Sequence, residues 1–236
     1  MKSRFLIVAI AMLSAASFVR AQATSAPAAP PQKAYEPAPK LDKDGSIQKR
    51  FAELHDKYVA RAKEGDVDLL FLGDSITEGW ARNDEEFFSK GNVGRGISAQ
   101  TSPQLLVRMH ADVVALKPRV VHIMVGTNDI AHNTGPMTAE DSHNNIMAMC
   151  EIAKAHKIRV VLGSVPPASK YWWRPEAQPK AEALAMNDWL RGYAKSIGGQ
   201  FADYTAAFVI AKDEVHPSKE GYALMRPIAE QAIKKA

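Results

Sequence analysis

Four short stretches of this chain carry residues with chemistry to offer, and they come in one order. They are Gly73-Asp74-Ser75 behind an apolar run, Gly94 to Thr101 (GRGISAQT), Gly126-Thr127-Asn128-Asp129 behind a second apolar run, and Asp213-Glu214-Val215-His216-Pro217 near the end. A serine hydroxyl is a poor nucleophile at neutral pH until a base within hydrogen-bond reach takes its proton. For Ser75 the candidate base is His216, because imidazole titrates near neutrality. Asp213, three residues earlier, can fold back on a turn and hold the proton-bearing nitrogen of His216, fixing its tautomer and stabilising the imidazolium. Pro217 restricts the backbone of His216 and helps present it. Attack on an ester carbonyl places negative charge on oxygen, and preorganised donors must meet it. The Asn128 side-chain amide and the backbone N–H groups of Ser75 and Ala99 are the candidates. Each stretch alone has a plainer use: Asp74 and Ser75 cap helices, Asn128-Asp129 makes a turn, and Asp213 and His216 can cap the final helix. Their joint occurrence in this order points to a serine esterase.

Positioning these groups requires alternating strands and helices. Val67 to Leu72, Val120 to Val125 and Ile158 to Leu162 are apolar runs of strand length, and Phe201 to Tyr204 is a last short one. Helical spacing marks 46–64, 100–116, about 138–157, 179–197 and 219–236. Thr138 followed by Asp141 resembles a capping box. Strands that are apolar throughout predict a parallel sheet with helices on both faces, an α/β fold. In such sheets sites form beyond the carboxyl ends of the strands, where Ser75 and Asn128 fall.

The ends read differently. Lys2 and Arg4, the run Phe5 to Phe18 and the small-residue site Val19-Arg20-Ala21 have the pattern of a secretory signal peptide, 1–21. Residues 22–45 are rich in Ala and Pro and predict an extended linker, leaving 46–236 as one domain. Loss of Lys2, Arg4 and Arg20 removes three of 30 basic residues against 26 acidic ones, lowering the formal charge from +4 to +1. The basic balance therefore belongs partly to the leader and gives no reason to expect nucleic acid as a partner. The expected destination is the periplasm or the extracellular space. With one cysteine, Cys150, no intrachain disulfide forms, and a buried structural thiol is expected.

The other histidines offer less. His122 lies inside an apolar strand and reads as a satisfied core residue. His132, Asp141 and His143 match no familiar metal-ligand spacing. His132 stands close to Asn128 and is expected at the pocket mouth. In the loop after the third apolar strand, Tyr171-Trp172-Trp173-Arg174-Pro175 places aromatics and a cation on the site side. Trp172 and Trp173 could stack on a sugar or aromatic leaving group, and Arg174 could meet an anionic one. Asp74 joins these as an expected substrate contact.

On these motifs the chain resembles the SGNH hydrolase superfamily, the GDSL esterases and lipases, from about Val67 to Tyr222. The resemblance implies a flavodoxin-like three-layer α/β/α sandwich with five parallel strands, and hydrolysis without a metal or other cofactor. It assigns Ser75 as nucleophile, Asn128 as oxyanion asparagine, and Asp213 and His216 as the remaining catalytic pair. Ala99 stands where the family usually has its oxyanion glycine. The role needs only a backbone N–H, but a positive φ would be costly for alanine, and its methyl would narrow the acyl pocket. Glu214 stands where relatives often have glycine. No long apolar insertion suggests a lid for fatty chains. The expected substrate is therefore a short acyl, above all acetyl, ester of a glycan or aryl alcohol. A lysophospholipase or thioesterase is the alternative enzyme, and an exported glycan-binding domain without turnover is the alternative of another class.

Overall fold

The computed structural model describes Glu53, Leu54, Tyr58, 67–89, 91–207 and 213–236. The expected leader, the linker and most of the expected 46–64 helix lie outside these residues. Five parallel strands form one sheet: β1 (Leu69–Gly73), β2 (Asn92–Gly96), β3 (Val120–Met124), β4 (Arg159–Gly163) and β5 (Gln200–Ala202), in the order β2-β1-β3-β4-β5. The helices are α1 (Ser75–Asn83), α2 (Ser102–Val107), α3 (Met109–Asp112), α4 (Thr127–Ile130), α5 (Ala139–Ala155), α6 (Pro179–Ser196) and α7 (Lys219–Lys235). This is the flavodoxin-like strand order, and it reverses direction between β1 and β3, where α/β sheets open a crevice for ligands.

Side-chain alternation explains the layers. Leu70 and Leu72 of β1 face one side, with Val121 and Ile123 of β3, and meet Leu105 and Met109 of α2 and α3, Met149 of α5 and Leu190 of α6. Phe71 faces the other side and meets Trp80 of α1 and Met225 of α7. Both faces are therefore apolar and covered, as a parallel sheet demands. On the second face Phe71, Trp80, Phe87 and Phe88 pack edge to face or stacked with centroids 5.0–5.9 Å apart. His122 joins this cluster, bonded through Nε2 to the Tyr204 hydroxyl at 2.8 Å. Burial pushes its pKa down to about 3, so it is a neutral core residue. Cys150 is a buried free thiol in α5 whose pKa burial pushes up to about 12. No helix among the described residues is long and apolar enough to cross a membrane.

Two elements differ from the sequence expectation. β2 reads NVGRG, with no apolar run to announce it, yet it pairs along its whole length with β1. As an edge strand it needs fewer apolar positions than the buried strands. The helix expected over 100–116 is broken at Arg108, whose φ of −92° and ψ of 3° separate α2 from α3. The break turns the Arg108 side chain inward under the sheet's carboxyl edge. Gly96 ends β2 against the first turn of α1 so closely that a Cβ there would sit 2.1 Å from the Glu78 nitrogen.

Candidate active site

Ser75 is the first residue of α1, directly after β1, and Asp74 caps that helix by accepting the Ile76 N–H at 2.9 Å. The plain capping role of Asp74 and the presentation of Ser75 are thus the same piece of geometry. The N-terminal helix position also favours negative charge near Ser75. His216 reaches it from the stretch before α7, with Nε2 2.8 Å from Ser75 Oγ. The other ring nitrogen, Nδ1, lies 2.5 Å from Asp213 Oδ2, while Asp213 Oδ1 accepts the N–H groups of Val215 and His216 at 3.0 Å each. Burial raises the Asp213 carboxyl, but these amide and imidazole bonds outweigh it and hold the pKa below the ordinary value. The carboxylate needed beside an imidazolium is present at neutral pH.

Ala99 adopts φ +65°, the left-handed conformation that glycine adopts freely. Two residues hold it there. Glu78 of α1 accepts the Ser98 N–H at 2.9 Å and the Ser98 hydroxyl at 2.6 Å, and buried Arg108 donates to Gln100 Oε1 at 2.7 Å and to the carbonyls of Arg95 and Gly73 at 2.8 and 3.2 Å. Asp112, one turn on, completes the buried pair with Arg108. Among the described residues, the backbone N–H groups of Ser75 and Ala99 have no acceptor.

Asn128 lies on α4 after β3, behind Gly126, whose φ of +142° suits only glycine. Its amide nitrogen donates to Asp74 Oδ2 at 3.1 Å and to the Gln100 carbonyl at 3.0 Å. Burial pushes the Asp74 pKa up to about 6, against the pull of the Ile76 N–H and the His216 charge. Next to Asn128, Asp129 accepts from the Ser102 N–H at 3.0 Å and the Ser142 hydroxyl at 3.0 Å, tying α2 and α5 to α4.

A cleft of about 460 Å³ opens over these groups, with Ser75, Ala99, Asn128, Trp172, Trp173 and His216 in its walls. The expected substrate contacts separate here. Trp172, 73 % exposed, and Trp173 border the cleft. Asp74 does not: it is 1 % exposed because both its oxygens are turned inward, to Ile76 and Asn128. His132 and Arg174 also stand outside the cleft wall. Arg174 instead pairs with Glu176 at 3.2 Å and donates to the Ile130 carbonyl, and Asn133 occupies the place expected of His132. Glu78, Arg108 and Asn133 were missed in the sequence. Only Arg108 left a trace there, as a charge four residues before Asp112 on an otherwise apolar stripe.

The profile of the GDSL-like Lipase/Acylhydrolase family matches residues 71–224. A GDSL-like lipase from Bacteroides thetaiotaomicron is 37% identical, with a TM-score of 0.71 over 77% of this chain and 97% of that one. The platelet-activating factor acetylhydrolase IB subunit alpha1 of Bos taurus is 28% identical over 140 residues, 56% of this chain and 57% of its own length. The chain thus spans little more than half of that curated relative. An acetylxylan esterase from Geobacillus stearothermophilus, 20% identical with a TM-score of 0.58 over 72% of this chain and 95% of that one, shares the fold.

Proposed function

The chain belongs to the GDSL-like lipase/acylhydrolase family, and on that premise we propose that it is an exported serine esterase cleaving short-acyl, above all acetyl, esters of carbohydrates or aryl alcohols. The observation that carries this reading is the unbroken string Ser75 Oγ–His216–Asp213 at 2.8 and 2.5 Å. His216 Nε2 takes the Ser75 proton as Oγ attacks the carbonyl, while Asp213 keeps Nδ1 protonated and oriented. The oxyanion meets the Ser75 and Ala99 N–H groups and the Asn128 NH2 group, which turns to it one of the two N–H bonds it gives to Asp74 and the Gln100 carbonyl in the free enzyme. The imidazolium then protonates the departing alcohol, leaving an acyl-serine. Water, deprotonated by the same imidazole, attacks that ester, and the imidazolium returns the proton to Ser75 Oγ as the acid leaves.

The short-acyl preference rests on an alanine, Ala99, lining the cleft beside Ser75 and on the absence of a long apolar insertion in the loops. The name of the curated acetylhydrolase relatives agrees with it. The alcohol side rests on Trp172, which borders the cleft and is largely exposed, a position from which it can stack on a sugar or aryl ring. The test is a series of p-nitrophenyl esters from acetyl to dodecanoyl, followed by acetylated oligosaccharides, with Ser75→Ala as control. The rate should peak at acetyl or butanoyl. A peak at long chains would select the lysophospholipase alternative, and equal rates for wild type and Ser75→Ala would leave a glycan-binding domain. Product analysis with a sugar acceptor separates hydrolysis from acyl transfer. N-terminal sequencing of the exported protein should begin at Gln22; a mature chain that keeps Met1 in the cytoplasm would refute export.

A further inference from the structure

Asn128 is held by a chain of hydrogen bonds whose direction is set at its far end. Trp173 Nε1 donates to Asn133 Oδ1 at 3.0 Å, Asn133 Nδ2 donates to Asn128 Oδ1 at 2.5 Å, and Asn128 Nδ2 donates to Asp74 Oδ2 and the Gln100 carbonyl. An indole N–H is a donor only. It can address only the oxygen of the Asn133 amide, which leaves the Asn133 NH2 group to face Asn128. Asn128 must then present its oxygen to Asn133 and its NH2 group the other way. Reversing the Asn128 amide would set its oxygen against a carboxyl and a carbonyl, and its NH2 group against another NH2 group. The Asn133 N–H also donates to the Asn128 carbonyl at 3.0 Å, so the two amides are held at a fixed separation.

We propose that Asn133 and Trp173 are positioning residues for the oxyanion hole: the indole N–H, acting through Asn133, fixes which way the Asn128 amide points. This rests on the esterase reading above. Trp173 therefore serves the site in two ways. Its ring is a wall of the cleft, stacked on Tyr171 with centroids 5.0 Å apart, and its N–H is the first link of the chain that orients a charge-stabilising donor. The loop after β4, which borders the alcohol side of the cleft, is joined in this way to the group that meets the oxyanion.

Two substitutions separate orientation from packing. Trp173→Phe keeps an aromatic ring in the wall and removes the N–H together with the second ring, so the N–H is read from kcat and the lost wall area from KM. Asn133→Asp keeps the shape but turns the donor facing Asn128 into an acceptor. With p-nitrophenyl acetate, kcat should fall about tenfold in Trp173→Phe and about 100-fold in Asn133→Asp, with KM within about threefold of wild type, the pattern of an interaction made in the transition state. Phosphorylation of Ser75 by diethyl p-nitrophenyl phosphate should slow in parallel, because it too builds charge on an oxygen in that hole. A Trp173→Phe enzyme with wild-type kcat, or one with raised KM alone, would overturn the proposal, since either makes Trp173 a wall and nothing more. If Asn133→Asp fails to fold, Trp173→Phe decides the matter. A wild-type protein that neither hydrolyses the ester nor is labelled at Ser75 removes the esterase reading itself; an active wild type with indifferent variants removes only the relay.

Discussion

Ser75 Oγ and His216 Nε2 lie 2.8 Å apart although 141 positions separate the two residues in the chain. In the proposed mechanism the attacking oxygen and the nitrogen that takes its proton act as one unit, so their losses should not add. Ser75→Ala, His216→Ala and the double variant should each lower kcat on p-nitrophenyl acetate by about 10⁴-fold or more, with the double variant no worse than either single one. Asp213→Asn should retain the fold and lose about 10³- to 10⁴-fold through the wrong imidazole tautomer. Steady-state assays of the four proteins check this; multiplicative losses would mean that Ser75 and His216 act in separate steps.

Asp74 gives the fold a pH dependence of defined sign. Its carboxyl titrates near 3.8 when unfolded and near 6 in its buried place beside Asn128. Between those values the folded protein binds the proton more tightly than the unfolded chain. The contribution of this group is full below pH 4 and is lost as pH rises through 6. Two units of pKa correspond to about 3 kcal/mol. Asp74→Asn keeps an oxygen for the Ile76 N–H and carries no charge, so the wild-type advantage at pH 4 relative to pH 7 should shrink in the variant. Urea unfolding at both pH values measures it. Parallel stability curves for the two proteins would show that folding leaves the Asp74 pKa unchanged.

Ala99 tests the acyl wall. Holding an L-residue at φ +65° costs about 1 kcal/mol, and glycine would relieve that while adding about 0.4–1 kcal/mol of unfolded-state freedom. Ala99→Gly should therefore leave the melting temperature nearly unchanged. Removing the methyl should raise kcat/KM for butanoyl and hexanoyl esters relative to acetyl by about tenfold, the value of a methylene-sized change in an apolar pocket. An unchanged acyl preference would place the acyl group elsewhere in the cleft.

What could be read in the chain beforehand follows the physics of each element. β1, β3 and β4 are buried on both faces and had to be apolar runs, so they were visible. The site stretches were visible because they combine side chains with reactivity and glycines with unusual geometry. β2 was hidden because its pairing with β1 uses backbone groups that no side-chain pattern encodes. Glu78, Arg108 and Asn133 were hidden because they act on backbone atoms or on other site residues, and nothing in a local window shows that Glu78 reaches Ser98 twenty residues away. Glu214 stands where the resemblance leads one to expect glycine, and its φ of +62° is the left-handed conformation that glycine adopts freely. Its carboxylate instead ties the His216 stretch to Ser169 and to Lys170.

Arg108 joins stability to the site. Its guanidinium is fully buried and serves Asp112, Gln100 and the carbonyls that end β1 and β2. Arg108→Met fills similar volume but leaves the buried Asp112 carboxylate without its partner, which costs about 3–5 kcal/mol. That corresponds to a fall in melting temperature of about 10 °C or more for a domain of this size. Adding Asp112→Leu removes the unpaired charge and should recover much of the stability. It should not recover kcat, because Gln100 and the Gly73 and Arg95 carbonyls still lack the donor that holds the Ala99 turn beside Ser75. Calorimetry and ester assays on the single and double variants separate the two effects. Joint recovery of stability and turnover would reduce Arg108 to a core ion pair with no hold on the site.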